Sequence, residues 1–180
     1  MAKKDLIIIV NARNRKIGLR DKTEAHLGRG ILHRAFVVFI FDTAGKLLLQ
    51  QRSKKKMLWP LYWDCSCASH PRVKERCRKS GERRLKEELG FTASLRNLGK
   101  FQYAARYKDI GAERELVILL TGRYEGKIKP NQKEVADFKW VDINSLNKDI
   151  AKHPQIYTPW LKKGLKIILK NRLCFLKRRK

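Results

Sequence analysis

The sequence predicts an α/β (α+β) fold, a mixed β-sheet sandwich flanked by helices. Three observations point there. Short apolar runs rich in β-branched and aromatic residues recur, two longer segments show helical spacing, and the two kinds do not alternate at the βαβ period of a doubly wound parallel sheet. With 180 residues and 43% hydrophobic content, the chain can bury one core and is short for two, so a single domain over 1–180 is expected. That apolar content also excludes a disordered basic tail, which would have too little to bury against its chain entropy.

Residues 5–10, 35–41, 47–52, 95–107, 115–124 and 137–141 read as strands, the first as an N-terminal extension. Asp42-Thr-Ala-Gly45 and the stretch 122–130 carry the turn signals between them. Residues 76–89 lack Pro and β-branched residues and stop at Gly90, a C-cap, so they read as a helix. A short helix is expected over 144–152. A basic amphipathic helix of about 158–177 closes the chain: Thr158 is its N-cap, Pro159 its first residue, and Leu161, Leu165, Ile168, Leu169, Leu173 and Leu176 form its stripe. That stripe is expected to pack on the core and cover the site. No internal repeat or linker interrupts the sequence.

Lys and Arg number 43 against 17 Asp and Glu, a formal charge of +26, which favours anionic partners: phosphates, nucleic acid or an anionic membrane surface. Nine Lys or Arg and no acid lie between Pro159 and Lys180, leaving weak electrostatic contact with nucleic acid or membrane open. No apolar run approaches the roughly 20 residues that span a bilayer. The five apolar residues after Asp5 are too few for a secretory signal, so a cytoplasmic address is expected. Cys65, Cys67, Cys77 and Cys174 accordingly read as thiols.

Glu87 and Glu88 fall at the end of the 76–89 helix, begun just after Glu75, and such oxygens suit hard divalent cations. On charge alone the same helix would be a solvated one, with Arg83–Glu87 and Arg84–Glu88 pairs at i, i+4. Spacing shifts the balance. Glu75, Arg83, Leu85, Glu87, Glu88, Gly90 and Phe91 stand in the order and spacing of the Nudix box, which this segment resembles. Ser69 replaces the box's Gly, and Arg84 replaces the Glu of its Arg-Glu pair.

His26 and His33 lie before and at the start of one strand, and His70 just before the helix. Glu113 and Glu115, two apart on a strand, project to one face. Singly, each reads as an ordinary satisfied or solvated residue. Together, imidazoles and carboxylates make a site for Mn²⁺, Zn²⁺ or Mg²⁺.

Over nearly its whole length the chain also resembles the type 1 isopentenyl-diphosphate isomerases, a Nudix subfamily. The resemblance rests on Lys22, Ala25-His26, Leu32-His33-Arg-Ala-Phe36, Gln51-Arg52 with Lys56, Trp59-Pro60, Trp63, Ser69-His70-Pro71, Tyr103, Glu113-x-Glu115, Glu134-Val135 with Trp140, and Thr158-Pro159-Trp160. It implies that His26, His33, His70, Glu113 and Glu115 hold a divalent metal, and that Glu88 helps hold Mg²⁺ on the substrate's diphosphate. It implies that Lys22, Arg52, Lys56 and Arg84 contact that diphosphate, which gives Arg84 a purpose a hydrolase would not. Glu115 matches the metal-linked acid/base, and Tyr103 and Trp160 match aromatic positions suited to facing a cation; for Tyr103 a core role is the simpler reading of the residue alone.

One position departs. The subfamily carries a second acid/base, a cysteine, two residues before the histidine matching His70, and this chain has Ala68 there. Cys67 is one place early, and on an extended segment neighbours point to opposite faces. A missing acid or base costs about 10²–10⁴ in rate. Ala68 therefore implies a slowed isomerase, a deliberate substitution or a changed reaction. Trp63-Asp-x-Ser-x-Ala-x-His70 also looks like isomerase-related Nudix diphosphohydrolases, which would use Glu87, Glu88 and Glu134 to hold metals and release phosphate or diphosphate. A phosphate, nucleic-acid or membrane-surface binding protein is the alternative of another class.

Overall fold

The computed structural model describes residues 5–176, with side chains described to residue 171. Leu173, Cys174 and Leu176, named above for the last helix, lie outside the described side chains. The elements run β1 (Leu6–Val10), β2 (Lys16–Asp21), α1 (Lys22–His26), β3 (His33–Phe41), β4 (Leu47–Arg52), β5 (Trp63–Asp64), β6 (Cys67–Ser69), α2 (Cys77–Leu89), β7 (Arg96–Tyr107), β8 (Gly111–Arg123), β9 (Val135–Val141), α3 (Ile143–Lys152) and α4 (Pro159–Leu176).

β3 organises the sheet. It runs parallel to β8 from His33 opposite Glu115 to Phe41 opposite Arg123, and antiparallel to β1 and β6. Its join to β4 is a single pair, Phe41 with Leu47, and β4 carries β9 and β5 away from it. Both faces of β3 are buried, which is why it reads as one unbroken apolar run. Alternation sends Val37 and Phe39 into a cluster with Leu119, Trp160 and Leu165 under α4, and Phe36, Val38 and Ile40 into a second with Leu85, Leu89 and Leu120 under α2. The sheet is thus sandwiched between helices, as expected.

β2 and α1 were not foreseen from the sequence. β2 is an edge strand paired only to β1, with Ile17 and Leu19 exposed, so no buried face imprints a period on it. α1 spans five residues and depends on Asp21, whose side chain accepts from the Thr23 and Glu24 amides. A single turn is too short to show a helical repeat. β8 begins at Gly111 rather than near Glu115, because the hairpin register with β7 runs on to Tyr107 opposite Gly111. Gly90 ends α2 at φ 78°, as a left-handed C-cap.

Candidate active site

Strand register brings three side chains into one row. Tyr103 on β7 lies opposite Glu115 on β8, and Glu115 lies opposite His33 on β3. Glu113, two residues from Glu115, faces the same way. The last residue of α1 adds His26, and His70 follows directly on β6. Gly111 allows the approach of α1: a Cβ there would stand 2.3 Å from the His26 carbonyl oxygen.

The cluster is almost sealed; His33 is 0% exposed, and His26, Glu113 and Glu115 are buried. His26 Nδ1 lies 2.5 Å from the Lys22 carbonyl and His33 Nδ1 2.7 Å from that of Ile31. Only an N–H can satisfy a carbonyl, so both rings carry a proton on Nδ1 and turn Nε2 inward. The inward atoms crowd together. Burial works to lower the His26 pKa, but Glu113, whose Oε2 lies 2.9 Å from His26 Nε2, raises it above the ordinary value, and His33 Nε2 is 3.4 Å from Glu115 Oε1. His33 and His70 approach Nε2 to Nε2 at 3.0 Å, and His70 Nε2 lies 3.1 Å from Glu115 Oε1. Burial, opposed by Glu115, drives the His70 pKa down to about 3, so its ring stays neutral. Five such groups have all their ligand atoms within 4.8 Å of one another, slightly wider than the roughly 4.2 Å that opposite donors take around a divalent cation at bonds of about 2.1 Å, so small side-chain shifts would bring them onto one ion. The backbone carbonyls behind His26 and His33 are the outer partners that orient metal-binding imidazoles.

Tyr103 is not merely core. Its hydroxyl donates to Glu115 Oε2 at 2.6 Å, and burial, reinforced by Glu115, pushes its pKa well up, so it remains a donor. Tyr103, Glu113 and Glu115 open onto a cavity of about 340 Å³ that Trp160 and Ala68 also line. Lys22, Arg52, Lys56 and Arg84 line it too. The nine residues singled out for this chemistry, with His26 and His70, therefore border one space.

Glu88 does not. It is 1% exposed and takes Arg84 at 2.6 and 3.0 Å and the Gln50 amide at 2.9 Å, away from the His/Glu cluster. Glu88 thus stands apart from the His/Glu cluster and beside Arg84, one of the residues expected on the diphosphate. Arg84 also holds Glu87 at 2.8 Å and Glu134 at 3.3 Å. Glu134 pairs with Lys56 as well; burial works to raise its pKa, but Lys56 and Arg84 hold it down at about 2. Cys67 and Ala68 part as the strand pleat dictates. Cys67 Sγ points to Glu88 Oε1 at 3.6 Å, its thiol pushed up by burial, while Ala68 faces the cavity. Among the described residues the cysteines are free thiols.

Residues 31–161 match the NUDIX domain family. This chain is a Nudix protein. An isopentenyl-diphosphate Delta-isomerase from Burkholderia multivorans is 40% identical over 154 residues, 86% of this chain and 87% of that one. Another from Serratia proteamaculans is 37% identical over 156 residues, 87% of each. Within the Nudix family the chain therefore belongs with the type 1 isopentenyl-diphosphate isomerases. Its fold is also that of a Deinococcus radiodurans crystal structure, at a TM-score of 0.74 and 19% identity over 90% of this chain and 98% of that one. A MutT protein from Methanosarcina mazei superposes at 0.63 with 16% identity, over 78% of this chain and 95% of that one. Among the described residues no helix is long and apolar enough to cross a membrane.

Proposed function

We propose that this protein interconverts isopentenyl and dimethylallyl diphosphate, acting as a single cytoplasmic domain, at a rate limited by Ala68. One proton goes onto the terminal methylene carbon and another leaves C2, so the double bond moves and the composition does not change. The tertiary cation between these steps needs an apolar, aromatic wall, and Trp160 supplies it. Glu115, with Tyr103 donating to it, handles the proton on one side. A divalent ion, Mn²⁺, Zn²⁺ or Mg²⁺, on His26, His33, His70, Glu113 and Glu115 would fix Glu115 in its working orientation. Lys22, Arg52, Lys56 and Arg84 bind the diphosphate with its Mg²⁺, and Glu88 serves by holding Arg84.

The observation that carries this reading over hydrolysis is the grip of Arg84 on Glu87, Glu88 and Glu134. The carboxylates a hydrolase would spend on metals are here neutralised by an arginine standing where the box has an acid. Incubation with isopentenyl diphosphate and Mg²⁺, followed by product analysis, tests it. Dimethylallyl diphosphate is expected; release of phosphate or diphosphate that Glu88→Gln abolishes would establish the hydrolase instead.

A further inference from the structure

Asp64, the second residue of β5, is 0% exposed and has no part in the chemistry above. A carboxylate so buried is costly unless paired. Burial pushes its pKa up from the usual range, and Arg52 is the charge that opposes this. Its two oxygens divide their partners. Oδ1 accepts from the Cys65 amide at 2.7 Å, the Thr158 hydroxyl at 3.1 Å and the Trp160 indole N–H at 2.6 Å. Oδ2 accepts from Arg52 Nη1 at 3.2 Å.

Arg52 is held on two further sides. Its Nε donates to the Trp59 carbonyl and its Nη2 to the Leu58 carbonyl, each at 3.0 Å. Three of a guanidinium's five N–H groups are thereby engaged, and the others remain for the cavity that Arg52 lines. The same guanidinium lies 5.1 Å from the centroid of the Trp160 ring. One carboxylate thus ties the cation at the phosphate end to the aromatic wall at the hydrocarbon end.

We propose that Asp64 is a positioning residue: its Oδ2 fixes the Arg52 fork on the diphosphate, while its Oδ1 fixes the Trp160 face, setting the distance between the two ends of the bound substrate. The proposal rests on reading this cavity as a diphosphate site. It makes the two oxygens separable. In Asp64→Asn the three donors on Oδ1 keep the amide oxygen turned toward them, which aims the new NH₂ at Arg52 Nη1, donor against donor. Trp160 keeps its partner and Arg52 loses one.

The test is calorimetric binding of inorganic diphosphate with Mg²⁺, which needs no turnover. Asp64→Asn is expected to weaken it roughly 10- to 100-fold, as when a charge-assisted hydrogen bond is broken. The Trp160 indole N–H resonance, assigned with Trp160→Phe, is expected to stay in place, which a general loosening of the fold would not allow. Arg52→Ala combined with Asp64→Asn should bind no more weakly than Arg52→Ala alone. Wild-type affinity in Asp64→Asn, additive losses in the double variant, or no diphosphate binding by the wild type would each overturn the proposal. Should Asp64→Asn fail to fold, Arg52→Lys tests the pair from the other side, since Lys keeps the charge but not the fork; unchanged affinity there also overturns it. Isomerisation is read separately: a wild type that binds diphosphate but makes no dimethylallyl diphosphate sinks the proposed reaction and leaves the role of Asp64 standing.

Discussion

The two carboxylate-rich regions of this molecule differ in what their charges face. On α2, Arg83 bonds Glu75 and Glu87, while Arg84 bonds Glu87 and Glu88. At the β3–β8 end, Glu113 and Glu115 face three imidazoles, two of them turned Nε2-inward by backbone carbonyls. The first region is electrostatically complete within the chain. The second gathers five groups whose ligand atoms could hold a metal ion. The two regions thus differ in which acids have arginine neighbours, and Arg84, standing where the box has an acid, is part of that difference.

The largest effect expected is on Glu115. Glu115→Gln should lower kcat for isomerisation by about 10⁴, the upper end for loss of a general acid or base, because the ligand and the proton carrier are the same group. A kcat within tenfold of wild type would break the distinction between the two regions. In the other direction, Ala68→Cys should raise isomerisation by about 10²-fold, because Ala68 already faces the cavity and a thiol there needs no change of register. No gain in dimethylallyl diphosphate would count heavily against the assigned reaction. Metal titration sharpens the contrast further: His33→Asn should weaken Mn²⁺ or Zn²⁺ binding by about 10- to 100-fold, and Glu87→Gln should leave it unchanged. Equal losses in both would mean that the helix still holds the ion.

What could be read in the sequence follows from what repeats. β3 and β8 were legible because burial on both faces makes each a continuous apolar run, and Cys67 versus Ala68 was legible because a strand alternates. That His26, His33, His70, Glu113 and Glu115 converge was legible through the family resemblance, without any knowledge that β7, β8 and β3 would line up Tyr103, Glu115 and His33. The contacts of Glu88 with Arg84 and Gln50 were only half legible: the i, i+4 pair with Arg84 follows from spacing, whereas the Gln50 contact depends on burial that sequence does not carry. Asp64 stood in the Trp63-Asp-x-Ser motif, but nothing in the sequence assigned it a role. Its meaning arises when Thr158 and Trp160, 94 and 96 residues away, close onto it.

The smallest effect expected separates two neighbouring arginines on the same helix. Arg84 lines the cavity and Arg83 does not. Arg83 instead makes two bonds of 2.9 Å to Glu75 and bonds of 3.0 and 3.1 Å to Glu87, all with about a fifth or more of each side chain exposed. Its hydrogen bonds hold the Glu75 carboxyl down at about 2, against the usual 4.5. A depressed carboxylate stabilises the fold above the unfolded value and loses that contribution as pH falls from about 4.5 toward 2. Solvent screening keeps the whole effect small, about 0.5–1 kcal/mol. Arg83→Ala should accordingly lose about that much stability at pH 7 in urea melts, show a flatter decline between pH 5 and 2 than wild type, and keep both kcat and divalent-ion affinity. If Arg83→Ala instead cost activity, the helix would reach into the reaction after all, and the division between a self-neutralised helix and the His/Glu cluster on the sheet would fail at its nearest boundary.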